Sequence, residues 1–122
     1  MKTQETLVDL VVLARRLEEF SYARDWKQFH SPKNLVMALT AEIGELNEVF
    51  QWLSEEDSKN LESNPAALAC AEEELSDVLM YLVRLIDILG IDINQAVQRK
   101  LVINEEKYPA EKVRGSSAKY TP

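Results

Sequence analysis

Seven residues set the limits on what this chain can fold into: three glycines, at positions 44, 90 and 115, and four prolines, at 32, 65, 109 and 122. Between these breakers run long stretches with apolar residues at helical spacing, and no β-alternation of useful length occurs. A first helix is expected from about Thr3 to Arg24, with Leu7, Leu10, Val11, Ala14 and Leu17 on one face. Ser31-Pro32 reads as an N-cap followed by proline at the first helical position, opening a second helix that reaches about Leu53. The polar, acidic stretch 54–63 is expected to be a surface loop. Asn64-Pro65 repeats the cap-then-proline signal and opens a third helix to Leu89, where Gly90 is placed to end it. Asp92 with Gln95 has the pattern of a capping box for a fourth helix, which must stop near Tyr108, before Pro109. Residues 110–122 read as a basic tail. The expected fold is therefore all-α, a bundle of four helices.

At 122 residues the chain is the size of one domain, and 46% apolar content is enough for a core and argues against disorder. The apolar arc of the third helix, which includes Leu68, Leu75, Val78, Leu79, Leu82, Leu85, Ile86 and Leu89, is too wide for three short neighbours to cover. That predicts completion of the bundle by another subunit. The formal charge of −7 disfavours a nucleic-acid coat. It leaves a nucleotide substrate open, because bound metal ions offset local negative charge. A single cysteine, Cys70, excludes an internal disulfide and a cysteine zinc cluster. Asp9 interrupts the N-terminal apolar run, no small-residue cleavage site follows, and no stretch approaches the roughly 18 apolar residues of a membrane span. A cytoplasmic protein without membrane or nucleic-acid partners is expected.

Two acidic pairs stand out, Glu42-x-x-Glu45 and Glu74-x-x-Asp77, each in the middle of a helical stretch beside apolar residues. Residues three apart share a helix face, so each pair can aim two carboxylates at one point. At about 100° per residue, Glu42 falls within the apolar stripe of the second helix and Glu45 at its edge, whereas Glu48 points away. Glu74 and Asp77 fall among or beside the apolar residues of the third helix. Glu73 lies on its polar side, close in angle to Arg84, and Glu72 is ambiguous. Burying unpaired carboxylates costs several kcal/mol each. Arg84 is the only basic residue in the third helix after the acids. A divalent cation bound by Glu42, Glu45, Glu74 and Asp77 resolves this, and an all-oxygen site suits Mg²⁺, with Mn²⁺ the alternative. Gly44, in mid-helix, fits either a close approach by another helix or simple drift.

The runs 42–52 (EIGELNEVFQW) and 73–82 (EELSDVLMYL), with the connector 24–30 (RDWKQFH) and the tail elements Tyr108-Pro109, Arg114-Gly115-Ser116-Ser117 and Lys119-Tyr120, resemble the all-α nucleoside triphosphate pyrophosphohydrolases. Within that superfamily the chain is similar to the MazG-like group, and most to the dCTP pyrophosphatases. The resemblance extends from Arg15 onward and implies one such domain over residues 1–122. It implies hydrolysis between the α and β phosphates, yielding the monophosphate and pyrophosphate, in a nucleotide-pool housekeeping role. It also implies metal ligands at Glu42, Glu45, Glu74 and Asp77, and base and sugar contacts from the connector (Trp26, Lys27, Gln28, Phe29 and His30) with Trp52 and Tyr81. Lys100 and Asn104 of the last helix would face the phosphates. The family implies an obligate homo-oligomer, and a tetramer built as a dimer of dimers is the expected form. Some relatives carry a histidine nine residues before the connector tryptophan. Here that position is Leu17, so one substrate contact is absent.

Neither a nucleophilic triad nor a glycine-rich phosphate loop is present, so phosphate binding falls to metal and basic side chains. Arg114, Lys119 and Lys100 are candidates to neutralise the leaving pyrophosphate. Glu45, with Glu42 beside it, is the acid assigned to catalysis, as acceptor of the attacking water's proton. The aromatic residues Trp26, Phe29, His30, Trp52 and Tyr81 can form a stacking slot, with His30 or Gln28 reading the base edge. The expected substrate is dCTP or a modified or related deoxynucleotide. Alternatives are a broader pyrophosphohydrolase, for instance one preferring dATP, and a non-catalytic metal-binding helical oligomer.

Overall fold

The computed structural model describes residues 8–117, and every regular element among them is helical. Six α-helices run in order: α1 (Leu10–Ala23), α2 (Pro32–Phe50), α3 (Glu55–Lys59), α4 (Pro65–Ile88), α5 (Ile93–Lys107) and α6 (Ala110–Val113). Short 3₁₀ turns at Lys27–Phe29 and Leu61–Ser63 join them. The four long helices are those expected, and the all-α class holds.

Local chemistry places the boundaries. Asp9 accepts hydrogen bonds from the Val11 and Val12 amides at 2.9 and 3.3 Å and starts α1 later than the apolar spacing suggested. Residues 3–7 lie outside the described residues. Ser31 Oγ accepts from Asn34 N at 3.2 Å, and Asn64 Oδ1 from Ala67 N at 3.2 Å, each with proline at the next position. Asp92 Oδ1 accepts from Gln95 N at 3.1 Å. Such caps contribute about 1 kcal/mol each. Gly90, at φ +66°, takes up the left-handed conformation that lets the chain leave α4. One expectation fails. The stretch 54–63 is not a plain loop, because Ser54 Oγ accepts from Asp57 N at 3.0 Å and caps α3. Three acids in the first turn and Lys59 in the last then suit the helix dipole. The basic tail begins with the short helix α6.

The chain divides into two compact units between Leu89 and Gly90. In the first, α4 is the central helix and packs along α2 and α1. The α2 and α4 helices are antiparallel, since His30, just before α2, meets Arg84 late in α4, while Glu45 meets the earlier Glu74. Among the described residues the buried apolar ones are Leu35 of α2 and Ala71 and Val83 of α4. Leu75 and Leu82 of α4 and Leu89, which caps its C-terminus, follow at seven-residue spacing and remain 53%, 40% and 50% exposed. Those leucines form part of the arc that was expected to need a further subunit. Gly44 has no atom within 4 Å of where a Cβ would stand, so no close approach within the described chain requires it. The second unit holds α5 and α6. No helix among the described residues is long and apolar enough to cross a membrane.

Candidate functional site

Glu42 and Glu45 lie one turn apart on α2, Glu74 and Asp77 one turn apart on α4, and the contact between the two helices brings the pairs together. One carboxylate oxygen from each of Glu42, Glu45 and Glu74 lies within 4.8 Å of the others. Asp77 stands outside this trio but close enough to Glu42 for its charge to act there. Glu42, Glu74 and Asp77 are half-buried and Glu45 is exposed, as are Glu48, Glu72 and Glu73. Glu45 therefore belongs to the cluster by position rather than by burial.

Crowding of acids changes their chemistry. The Glu74 carboxyl is pushed up to about 7, first by the hydrogen bond it forms with Glu42, then by burial, then by Glu45. For Glu42 that same hydrogen bond pulls downward, but burial and the charges of Glu45 and Asp77 outweigh it, and its carboxyl lies above the ordinary value. When both groups are ionised no donor remains between them. Glu42 Oε2 and Glu74 Oε2 are then buried acceptors without a hydrogen-bond partner among the described residues. Orphaned oxygens of this kind are unfavourable unless something positive meets them. An all-carboxylate donor set with two orphaned, inward-facing oxygens fits a hard divalent cation.

The acids open onto a cavity of about 850 Å³, within the range of small-molecule sites. Glu42 and Asp77 form part of its wall, and so do Trp26, His30, Tyr81 and Arg84. Trp26 packs edge-on against Phe20 and His30, with ring centroids 5.6 and 6.4 Å away. Leu17, the position where some relatives carry histidine, also lines the cavity.

Other expected site residues fall elsewhere. Among the described residues, Lys27, Gln28, Phe29 and Trp52 do not line the cavity. Lys27 Nζ lies 3.9 Å from Glu18, and Gln28 Nε2 donates to Asp25 O and Oδ2 at 3.0 and 3.1 Å. Phe29 is exposed, and its carbonyl accepts from Asn34 Nδ2 at 3.1 Å. Trp52, just beyond α2, is 88% exposed. Lys100 and Asn104 lie on α5 and Arg114 follows α6, all in the second unit. Lys119 lies outside the described residues.

One feature of the wall escaped the sequence reading. Arg84, placed there on the polar side of its helix beside Glu73, is only 3% exposed. Its Nη1 donates to Glu18 of α1 and its Nε to His30 Nδ1. The signal available was an acid in α1 and a base in α4, on helices both expected to face the same core.

Comparison with known proteins decides the family. The MazG-like family model matches residues 37–122. The chain belongs to the MazG-like family. It is 46% identical over 119 residues to human dCTP pyrophosphatase 1, covering 97% of this chain and 68% of that protein. The bovine dCTP pyrophosphatase 1 is 45% identical over 120 residues, covering 98% and 69%. Among solved structures, a pyrophosphatase from Archaeoglobus fulgidus superposes with a TM-score of 0.72 at 39% identity, covering 88% of this chain and 99% of that one. The resemblance in the motifs around both acidic pairs thus extends across the chain, as expected from its sequence.

Proposed function

We propose that this MazG-like protein is a Mg²⁺-dependent pyrophosphohydrolase that splits dCTP, or a modified or related deoxynucleoside triphosphate, between the α and β phosphates. The observation that carries this reading is the junction of acids and cavity. Three carboxylate oxygens within 4.8 Å of one another adjoin a cavity of about 850 Å³ with tryptophan, tyrosine and histidine in its wall. Triphosphate oxygens belong at the acidic end, through cations, and the base among the rings. The names of the curated relatives, dCTP pyrophosphatase, support the same substrate.

Glu42, Glu45, Glu74 and Asp77 are assigned to hold the cation, which supplies charge neutralisation on the triphosphate and a more acidic water. Glu45, the exposed member of the trio, takes the proton as water attacks the α phosphorus. The α–β bridging P–O bond breaks, and the electron pair leaves with pyrophosphate. Lys100, Asn104, Arg114 and Lys119 are assigned to the phosphates from the family resemblance. Trp26, Tyr81 and His30 take the base, and Trp52 serves the site from a neighbouring copy in a homo-oligomer, a tetramer in this reading. The nucleotide pool it would act on assigns the protein to the cytoplasm.

Pyrophosphate release across a deoxynucleotide panel with Mg²⁺ tests the proposal. Glu42→Gln and Glu74→Gln should abolish turnover while helical circular dichroism is retained, and Glu48→Gln should keep it. Equal loss from all three refutes the assignment of the acids. If no triphosphate is split while Mg²⁺ still raises the melting temperature, the protein is a metal-binding helical oligomer instead.

A further inference from the structure

Two turns beyond Asp77 on α4, Arg84 places a buried cation in the cavity wall, a group that the hydrolytic step itself does not use. Its guanidinium is held on three sides. Nη1 donates to Glu18 and lies 3.8 Å from Asp87 Oδ2, and Nε donates to His30 Nδ1 at 3.1 Å. Nη2 is buried with no hydrogen-bond partner among the described residues. A guanidinium has only donors and keeps its charge in proteins. The histidine nitrogen it touches must therefore be a lone pair. A neutral imidazole that accepts at Nδ1 carries its proton on Nε2. Burial first, and then the charge of Arg84, hold the ring's pKa below its ordinary value against the opposing pull of Glu18, so the ring stays neutral at pH 7 and above.

We propose that Arg84 is a positioning residue that locks His30 in its Nε2–H tautomer, so that the base wall of the cavity offers a donor and selects bases presenting an acceptor there, such as the carbonyl oxygen of cytosine. The proposal rests on the reading that this cavity holds the base. Unsupported, His30 could expose either a donor or an acceptor, and would accommodate a carbonyl or an exocyclic amine alike. Arg84 removes the second option, and Glu18 makes the buried guanidinium tolerable by compensating its charge. Leu17, in the same wall, cannot hydrogen-bond and adds no polar contact to the one His30 offers.

The chain's single histidine makes the test direct. In ¹⁵N-labelled full-length protein with Mg²⁺ at pH 8, the imidazole should carry its proton on Nε2 alone. Arg84→Met should give mixed tautomers and bring the ring's pKa up toward its ordinary value. Pyrophosphate release is followed in parallel with dCTP and with the triphosphate of abasic deoxyribose. Arg84→Met should lower kcat/KM for dCTP about tenfold more than for the abasic compound, mainly through KM. Arg84→Lys keeps a cation beside Glu18 but cannot present the Nε donor. It should show the same selective loss, and covers the case in which the methionine variant does not fold. A wild-type ring protonated at Nδ1, or equal losses on both substrates, overturns the proposal. If the wild type splits neither triphosphate, the functional reading fails and base selection with it. The tautomer spectrum, independent of turnover, tells that failure apart from a wrong assignment of Arg84.

Discussion

Mg²⁺ affinity should fall about tenfold for each pH unit below 7 and level off above it. The perturbed group is Glu74, whose carboxyl titrates near 7 instead of 4.5, with Glu42 raised beside it. A hard cation needs ionised oxygens. Below pH 7 each ion bound must therefore displace about one proton, and one proton per ion means one decade of affinity per pH unit. The same shift governs the metal-free fold with a definite sign. Between about 4.5 and 7 the native Glu74 holds a proton that the unfolded chain has lost, so stability falls as pH rises through that window. It is flat, for this group, below and above. Metal offsets the trend. At a free concentration one hundred times Kd, Mg²⁺ adds about 2.7 kcal/mol, roughly 10 °C in a domain of this length. The gain from a fixed Mg²⁺ concentration should be largest near pH 8 and fall to about a third of that at pH 5.5.

Calorimetric titration in two buffers of different ionisation enthalpy counts the protons, and scanning calorimetry with and without Mg²⁺ reads the stability. Proton release should approach one per ion at pH 6 and vanish at pH 8.5. Equal affinities at pH 5.5 and 8 with no protons released would refute the clustering of these carboxyls as the source of metal binding.

Trp52→Ala should raise KM roughly 5- to 160-fold, the equivalent of about 1–3 kcal/mol of stacking, or shift base preference. An unchanged substrate profile would show that the 88% exposed indole does not serve the site. Leu82→Glu, in the exposed leucine row of α4, should shrink the species seen by light scattering at micromolar concentration. A monomeric wild type would contradict the oligomer outright.

Most of the fold was legible because its signals are local. Proline and cap residues announce α2, α4 and α5 within a few positions, and each cap makes its hydrogen bond. The α3 helix was missed because polarity was weighed above capping, although Ser54 followed by Asp57 three residues later is itself a start signal. The acid cluster was legible for a related reason: helical phase separated Glu42 from Glu48, and the structure half-buries the first and exposes the second. Phase could not resolve Arg84. At about 100° per residue it falls only some 20° from exposed Glu73 and some 20° from half-buried Asp77. Which neighbour it resembles was settled by an acid 66 residues earlier in the chain.

That ambiguity has a structural consequence. Glu74, Asp77, Tyr81 and Arg84 are spaced by three, four and three residues, so one stripe of α4 carries acid, acid, ring and cation in that order. At 1.5 Å per residue the stripe extends about 15 Å. Its acidic end repels a bare triphosphate and accepts one only through cations, while its far end holds a cation neutralised by Glu18 and committed to a histidine. A nucleotide laid along the stripe with its phosphates at Arg84 would put polyanion beside a guanidinium already paired with Glu18, and base among ionised carboxylates. On the proposed function, the order of charges on a single helix would set the polarity with which substrate enters, and α2 and α1 supply the partners, Glu42 and Glu18, at the two ends.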